Sequence, residues 1–138
     1  MDSIIFRLAS STGMGQYDPY HQVTLEKGSY VATPIKGDDD DLTAWNAWSG
    51  VADECTSPTE CKRGWLTSFN AWCQDFRSAP CNTIKNKSFR SEDIATAIAH
   101  ANSLPFRLTR RSFVNFFIAD TLDDDNIGGL TIRLEKIG

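Results

Sequence analysis

The sequence predicts an all-β domain, an antiparallel β-sandwich or jelly roll with one short helix. Short apolar–polar alternations recur along the chain, stretches containing Gly and Pro separate them, and a single segment has helical spacing. The 138 residues suit a single domain over residues 1–138, because one domain usually takes about 100–200 residues. The hydrophobic content of 41% is sufficient for a sizeable core.

The first part of the chain contains three strand patterns. Apolar residues alternate with other residues over 4–9, which predicts an opening strand. The same period recurs over 23–26 and 30–35, on either side of Lys27-Gly28. A turn dipeptide between two alternating runs predicts that these two strands form a hairpin.

One short helix is expected at about 91–101. Ser91 can cap it, and the acids that follow suit the positive end of a helix dipole. Apolar residues then recur at helical spacing and would form one buried face: Ile94, Ala97, Ile98 and Ala101.

The last third has the clearest β pattern. Residues 113–119 form a near-continuous apolar run, which is typical of a central strand. Residues 130–136 alternate and indicate a strand with one wet face. We expect these two strands to be neighbours in one sheet.

The four cysteines favour disulfides over a zinc site, because neither His lies near them and the spacings are too wide. Cys55 and Cys61 bracket one Pro-containing stretch, and Cys73 and Cys81 bracket another. We expect these two local pairs, although four cysteines allow three pairings and free buried thiols are the alternative. Disulfides would place the chain in an oxidising compartment, so we expect a secreted or extracellular protein.

The charge pattern argues against several functions. The net charge is −4, and the acids are concentrated in two runs, over 38–41 and 120–125. These runs would repel a polyphosphate, so no nucleic-acid partner is expected.

No apolar run is long enough to cross a bilayer, and residues 1–4 do not have the pattern of a signal peptide. The acids crowd together and no nucleophile motif is present, so we expect no enzyme.

The second acidic run, followed by two glycines, is a candidate calcium loop. Residues 120–126 offer four carboxylates and one amide, and calcium prefers six to eight hard oxygen ligands. We expect Asp120, Asp123, Asp125 and Asn126 to bind the ion, with Asp124 turned to solvent or acting through water. A solvated turn, with no metal, is the alternative.

Two stretches resemble known families. Residues 117–132 resemble the C-terminal signature of galactose-binding-like β-sandwich domains, and the end of the calcium-dependent, galactose-specific bacterial lectins. Residues 28–35, followed by 43–48 and 64–66, are similar to secreted bacterial β-sandwich proteins of the PEP-CTERM type. The resemblance implies calcium and carbohydrate as ligands, with a backbone carbonyl from 38–41 closing the metal site.

Aromatic residues supply candidate sugar contacts, since an indole or phenol face can stack on a pyranose. We expect Trp48, Trp65 and Tyr20 to contact a ligand, although Trp is more often a core residue.

Two functions remain open. One is a lectin-like module that binds a carbohydrate or cell-surface glycan. The other is a self-associating structural or adhesive subunit of an extracellular surface, fibre or matrix, in which calcium only stabilises a loop.

Overall fold

The computed structural model describes residues 3–10, 19–39, 42–46, 64–75, 83–118 and 127–138. Within these ranges the chain forms eleven strands and one helix. The strands are β1 (Ile4–Ala9), β2 (Tyr20–Leu25), β3 (Gly28–Ile35), β4 (Trp45–Asn46), β5 (Trp65–Leu66), β6 (Asn70–Asp75), β7 (Ile84–Lys85), β8 (Arg90–Ser91), β9 (Leu104–Leu108), β10 (Ser112–Phe117) and β11 (Ile127–Lys136). The helix, α1, covers Ile94–Ala99.

The strands form two antiparallel sheets, and the predicted fold class is confirmed. The larger sheet has seven described strands in the order β8-β5-β4-β11-β3-β9, with β1 paired to the other side of β11. The smaller sheet has four, in the order β2-β10-β6-β7. Phe6 of β1, in the larger sheet, stacks on His21 of β2, in the smaller sheet, with ring centroids 4.2 Å apart. The edges of the two sheets therefore meet through side chains there.

The core lies between the sheets. Leu130, Ile132 and Leu134 of β11 are fully buried, and Val114 and Phe116 of β10 belong to the same cluster. Burying each such side chain stabilises the fold by roughly 1.5–3 kcal/mol before conformational entropy is counted. The alternation along both strands therefore fixes which side chains face the core and which face outward.

The expected pairing of the last two strands is wrong. β10 lies between β2 and β6 in the smaller sheet, whereas β11 lies in the larger sheet between β1 and β3. The two strands face each other across the core. Period-two alternation places a residue on a face, but it does not identify the neighbouring strand.

The expected hairpin between β2 and β3 is also wrong, because these strands belong to different sheets. Leu25 and Tyr30 enter the same core from opposite sides. The buried Tyr30 hydroxyl donates a 2.6 Å hydrogen bond to the carbonyl oxygen of Glu26 and ties the corner between the sheets. Burial, with a smaller contribution from the Glu26 carboxylate, raises the pKa of Tyr30.

The helix forms where the sequence predicts one, but it begins later. Asp93, not Ser91, is the N-cap, and its carboxylate accepts a 2.7 Å hydrogen bond from the Thr96 amide. That bond lowers the pKa of Asp93. Ile94 and Ala97 are buried against Trp65 in a second, smaller cluster, so α1 covers the end of the larger sheet. None of the described helices is long and apolar enough to span a membrane.

Candidate functional site

The predicted calcium segment lies, in the sequence, between two strands that belong to different sheets. β10 ends at Phe117 and β11 begins at Ile127, so the acidic segment 119–126 connects the two sheets. The predicted calcium ligands Asp120, Asp123, Asp125 and Asn126 lie outside the described residues, as do Trp48, Cys55, Cys61 and Cys81. The described residues around them establish where that segment begins and ends.

The start of β11 is held tightly on both sides. Gly128 has a φ of 82°, and a Cβ there would collide with the carbonyl oxygen of Ala44. A Cβ on Gly129 would collide with the carbonyl oxygen of Leu8. Ser10 donates a 2.6 Å hydrogen bond to the Gly128 carbonyl from its hydroxyl. The two glycines lie within β11, where neighbouring backbones leave no room for side chains.

The described part of the first acidic run lies beside β1 and β11. Thr131 donates a 2.8 Å hydrogen bond to the carbonyl oxygen of Leu42, which fastens Leu42 to β11. Asp38 forms a 2.8 Å ion pair with Arg7 of β1, although the Asp38 side chain is largely exposed. Arg7 in turn pairs in register with Thr131, so Asp38 lies beside the strand pair β1 and β11.

Tyr20 is an exposed aromatic residue at the start of β2. It opens β2 directly opposite Phe117, and the two ring centroids lie 5.9 Å apart. Its side chain is 63% exposed. An exposed phenol ring therefore stands beside the last residue of β10, two residues before the acidic segment.

His21, the residue after Tyr20 in β2, faces inward, against Phe6. The expectation for Trp65 needs correction. Trp65 does not have the exposed indole that a sugar contact requires. Only 5% of it is exposed, because Ile94 and Ala97 pack against it, and its indole nitrogen finds no hydrogen-bond acceptor among the described residues.

Trp45 is a core residue, as Trp commonly is: it is buried and donates a 2.9 Å hydrogen bond to the carbonyl oxygen of Ser68. Cys73 of β6 is buried and disulfide-bonded. The other three cysteines lie outside the described residues, so the pairs Cys55–Cys61 and Cys73–Cys81 stay a prediction.

Among the described residues, no group of three or more His, Cys, Asp or Glu side chains is placed to hold a metal ion. The predicted ligand set is judged instead on its chemistry. Carboxylate and amide oxygens are hard donors of the kind that calcium prefers, and residues 120–126 supply five such side chains. This donor set fits calcium.

Comparison with protein-family models, with curated proteins and with solved structures finds no match to this chain. The resemblance to galactose-binding-like domains and to bacterial lectins therefore stays a hypothesis based on residues 28–35, 43–48, 64–66 and 117–132.

Proposed function

We propose that this chain is a non-enzymatic, extracellular, calcium-binding β-sandwich module that recognises carbohydrate. The observation that carries the proposal is the position of Tyr20. Its exposed ring lies on Phe117, at the end of β10 that leads into the acidic segment. A ring suited to stacking thus stands beside Phe117, and the hard oxygen donors follow that residue in the sequence.

Calcium has a defined place in this proposal. Asp120, Asp123, Asp125 and Asn126 would hold the ion, which would neutralise carboxylates that otherwise repel each other. Asp38 is less suited to join them, because it already pairs with Arg7. Beyond the acidic segment, the hydrogen bond from Ser10 to the Gly128 carbonyl fixes the start of β11.

The alternative, a self-associating structural subunit, would be favoured by an open sheet edge. The edge strand β9 carries the exposed residues Pro105 and Arg107, and both residue types discourage edge-to-edge pairing. This edge therefore gives the alternative no support.

A glycan array probed with the labelled protein in calcium and in EDTA tests the proposal. We expect binding to a defined group of glycans in calcium, weaker binding in EDTA, and loss of binding for Tyr20→Ala. The matched control is Ile5→Ala, which also removes an exposed apolar side chain, 53% exposed, but on the larger sheet. Absence of binding to every glycan in calcium would overturn the carbohydrate proposal.

A further inference from the structure

The outward face of the smaller sheet has an unusual composition. Alternation turns Ala71, Cys73, Val114 and Phe116 into the core, so the residues between them face away from it. The outward residues whose side chains the structure describes on β2, β6 and β10 are Tyr20, Gln22, Thr24, Asn70, Trp72, Phe113, Asn115 and Phe117. Four of these eight are aromatic and three are amides.

The register places rings and amides side by side. Phe117 lies between Tyr20 and Asn70, and in the next outward row Asn115 lies between Gln22 and Trp72. Neighbouring strands are about 4.8 Å apart, and outward residues along one strand are about 7 Å apart. Each of these two rows therefore presents at least one ring and one amide within the dimensions of one or two sugar rings.

Three amide side chains on this face, those of Gln22, Asn70 and Asn115, take part in no hydrogen bond among the described residues. Amides elsewhere in the chain are used to hold the fold. Asn86 accepts from the Phe69 amide at 2.8 Å and donates to the Thr67 carbonyl at 3.1 Å, for example. An amide that supports no loop keeps its donors and its acceptor for a ligand.

The charge on this face selects among ligands. None of the eight described outward side chains is charged. Charges border them at Lys85, opposite Asn70, and at the Glu26–Arg111 ion pair, two residues beyond Thr24 and Phe113. A nucleic acid could stack on the rings, but it would need basic side chains for its phosphates, and the chain carries a net charge of −4. Hydroxyl groups match amides as both donors and acceptors, and the faces of pyranose rings match aromatic rings.

We infer that the outward face of the smaller sheet binds a neutral glycan chain that runs from Tyr20 across Asn115 and Trp72. This inference rests on the proposed function and deepens it. The ligand that we infer is an extended, uncharged polysaccharide, not a single terminal sugar held at the loop. The surface that contacts it is the sheet face that begins at Tyr20.

Native affinity electrophoresis tests this inference with the full chain in calcium. The probes are four soluble neutral polysaccharides cast into separate gels, namely xyloglucan, arabinoxylan, galactan and a β-1,3-glucan, with the acidic polymer alginate as the contrast. We expect at least one neutral polysaccharide to retard the protein and alginate not to do so. Asn115→Asp, which keeps the side-chain shape but removes the amide donor, should weaken retardation about tenfold, and Ile5→Ala should leave it unchanged.

The results separate this inference from the proposed function. Melting curves confirm that each variant is folded, and Trp72→Ala serves as a second variant on the face. If Tyr20→Ala loses retardation while Asn115→Asp and Trp72→Ala keep it, sugar is bound at the loop and the sheet-face inference is overturned. If no neutral polysaccharide retards the protein, and sedimentation detects a dimer that Trp72→Ala dissociates, the face is a self-association surface and the inference again falls. If the protein is retarded in none of the gels and sedimentation detects no dimer, the result contradicts both the proposed function and the sheet-face inference.

Discussion

The ring of Tyr20 rests on the ring of Phe117, with centroids 5.9 Å apart, and the two residues are direct partners across β2 and β10. Phe117 is half-buried, whereas Tyr20 is 63% exposed. The pair therefore presents one aromatic face to solvent at the position where the chain leaves the smaller sheet for its acidic segment. This relationship links the fold to the proposed function.

Tyr20→Ala should weaken glycan binding roughly tenfold, because one stacking surface is lost. It should leave the free energy of unfolding within about 0.5 kcal/mol, because most of the side chain is already in water. Titration with a glycan identified on the array and thermal melting measure the two effects. A large loss of stability without a loss of affinity would show that the ring is structural.

Gly128→Ala should destabilise the protein by about 2–4 kcal/mol, since a non-Gly residue at a φ of 82° is strained and the added Cβ meets the Ala44 carbonyl. That loss corresponds to a melting temperature lower by roughly 10 °C. Gly138→Ala is the control, because its Cβ would lie 3.7 Å from Ser29, an ordinary contact. Equal melting temperatures for the two variants would contradict the described start of β11.

Asp93 should make the stability of α1 depend on pH. The hydrogen bond from the Thr96 amide lowers the pKa of Asp93 below its ordinary value of 3.8. The carboxylate therefore stabilises the fold above that value, and this contribution disappears as the pH falls through the lowered pKa. Asp93→Asn keeps a capping oxygen without a charge, and Asp93→Ala removes both.

We expect Asp93→Ala to melt below Asp93→Asn at every pH. The wild type should exceed Asp93→Asn near neutral pH, and this difference should shrink at about pH 2. Thermal melting followed by circular dichroism across this range measures both differences. A gap between wild type and Asp93→Asn that does not change with pH would argue against the charged cap.

The disulfides should be local. Digestion of the non-reduced protein followed by mass spectrometry should detect one peptide pair that joins Cys73 to Cys81 and another that joins Cys55 to Cys61. Two cysteines separated by few residues can reach the Cα–Cα distance of a disulfide without movement of distant parts of the chain. A peptide that links Cys73 to Cys55 or Cys61 would refute this pairing.

The sequence was sufficient to predict the last two strands, and insufficient to predict their partners. The apolar run over 113–119 and the alternation over 130–136 correctly indicated β10 and β11, because a period of two is a local property of the backbone. Which strands pair depends on long-range packing, so β10 and β11 were wrongly expected to be neighbours. The corner between β2 and β3, where Tyr30 hydrogen-bonds to the Glu26 carbonyl, was wrongly expected to be a hairpin because strand pairing cannot be read from local sequence.

The sequence alone supplies the main elements of the proposed site. The acidic run over 120–125 is evident from composition, and the structure adds that Tyr20 is exposed. Trp65 was misjudged because its burial is due to α1, a contact that neighbouring sequence does not indicate. The amides Gln22 and Asn115 were overlooked, although Asn115 interrupts an apolar strand, a signal that is visible in the sequence.

The calcium site is the part of the proposed function that can be tested most directly. Thermal melting of protein freed of metal should be compared in excess calcium, in magnesium and in EDTA. A hundredfold excess of calcium over its Kd stabilises the folded state by about 2.7 kcal/mol, so the melting temperature should rise by several degrees. Magnesium should substitute poorly because it demands strict octahedral geometry.

Variants of the acidic run locate the effect. Asp120→Ala and Asp125→Ala should each abolish the calcium-dependent rise, whereas Asp124→Ala, the matched control, should keep most of it. A rise of several degrees for the wild type that is lost in Asp120→Ala is the result that our account predicts. Identical melting curves in calcium and in EDTA, for a protein shown to be metal-free beforehand, would contradict it and make the acidic segment a solvated turn.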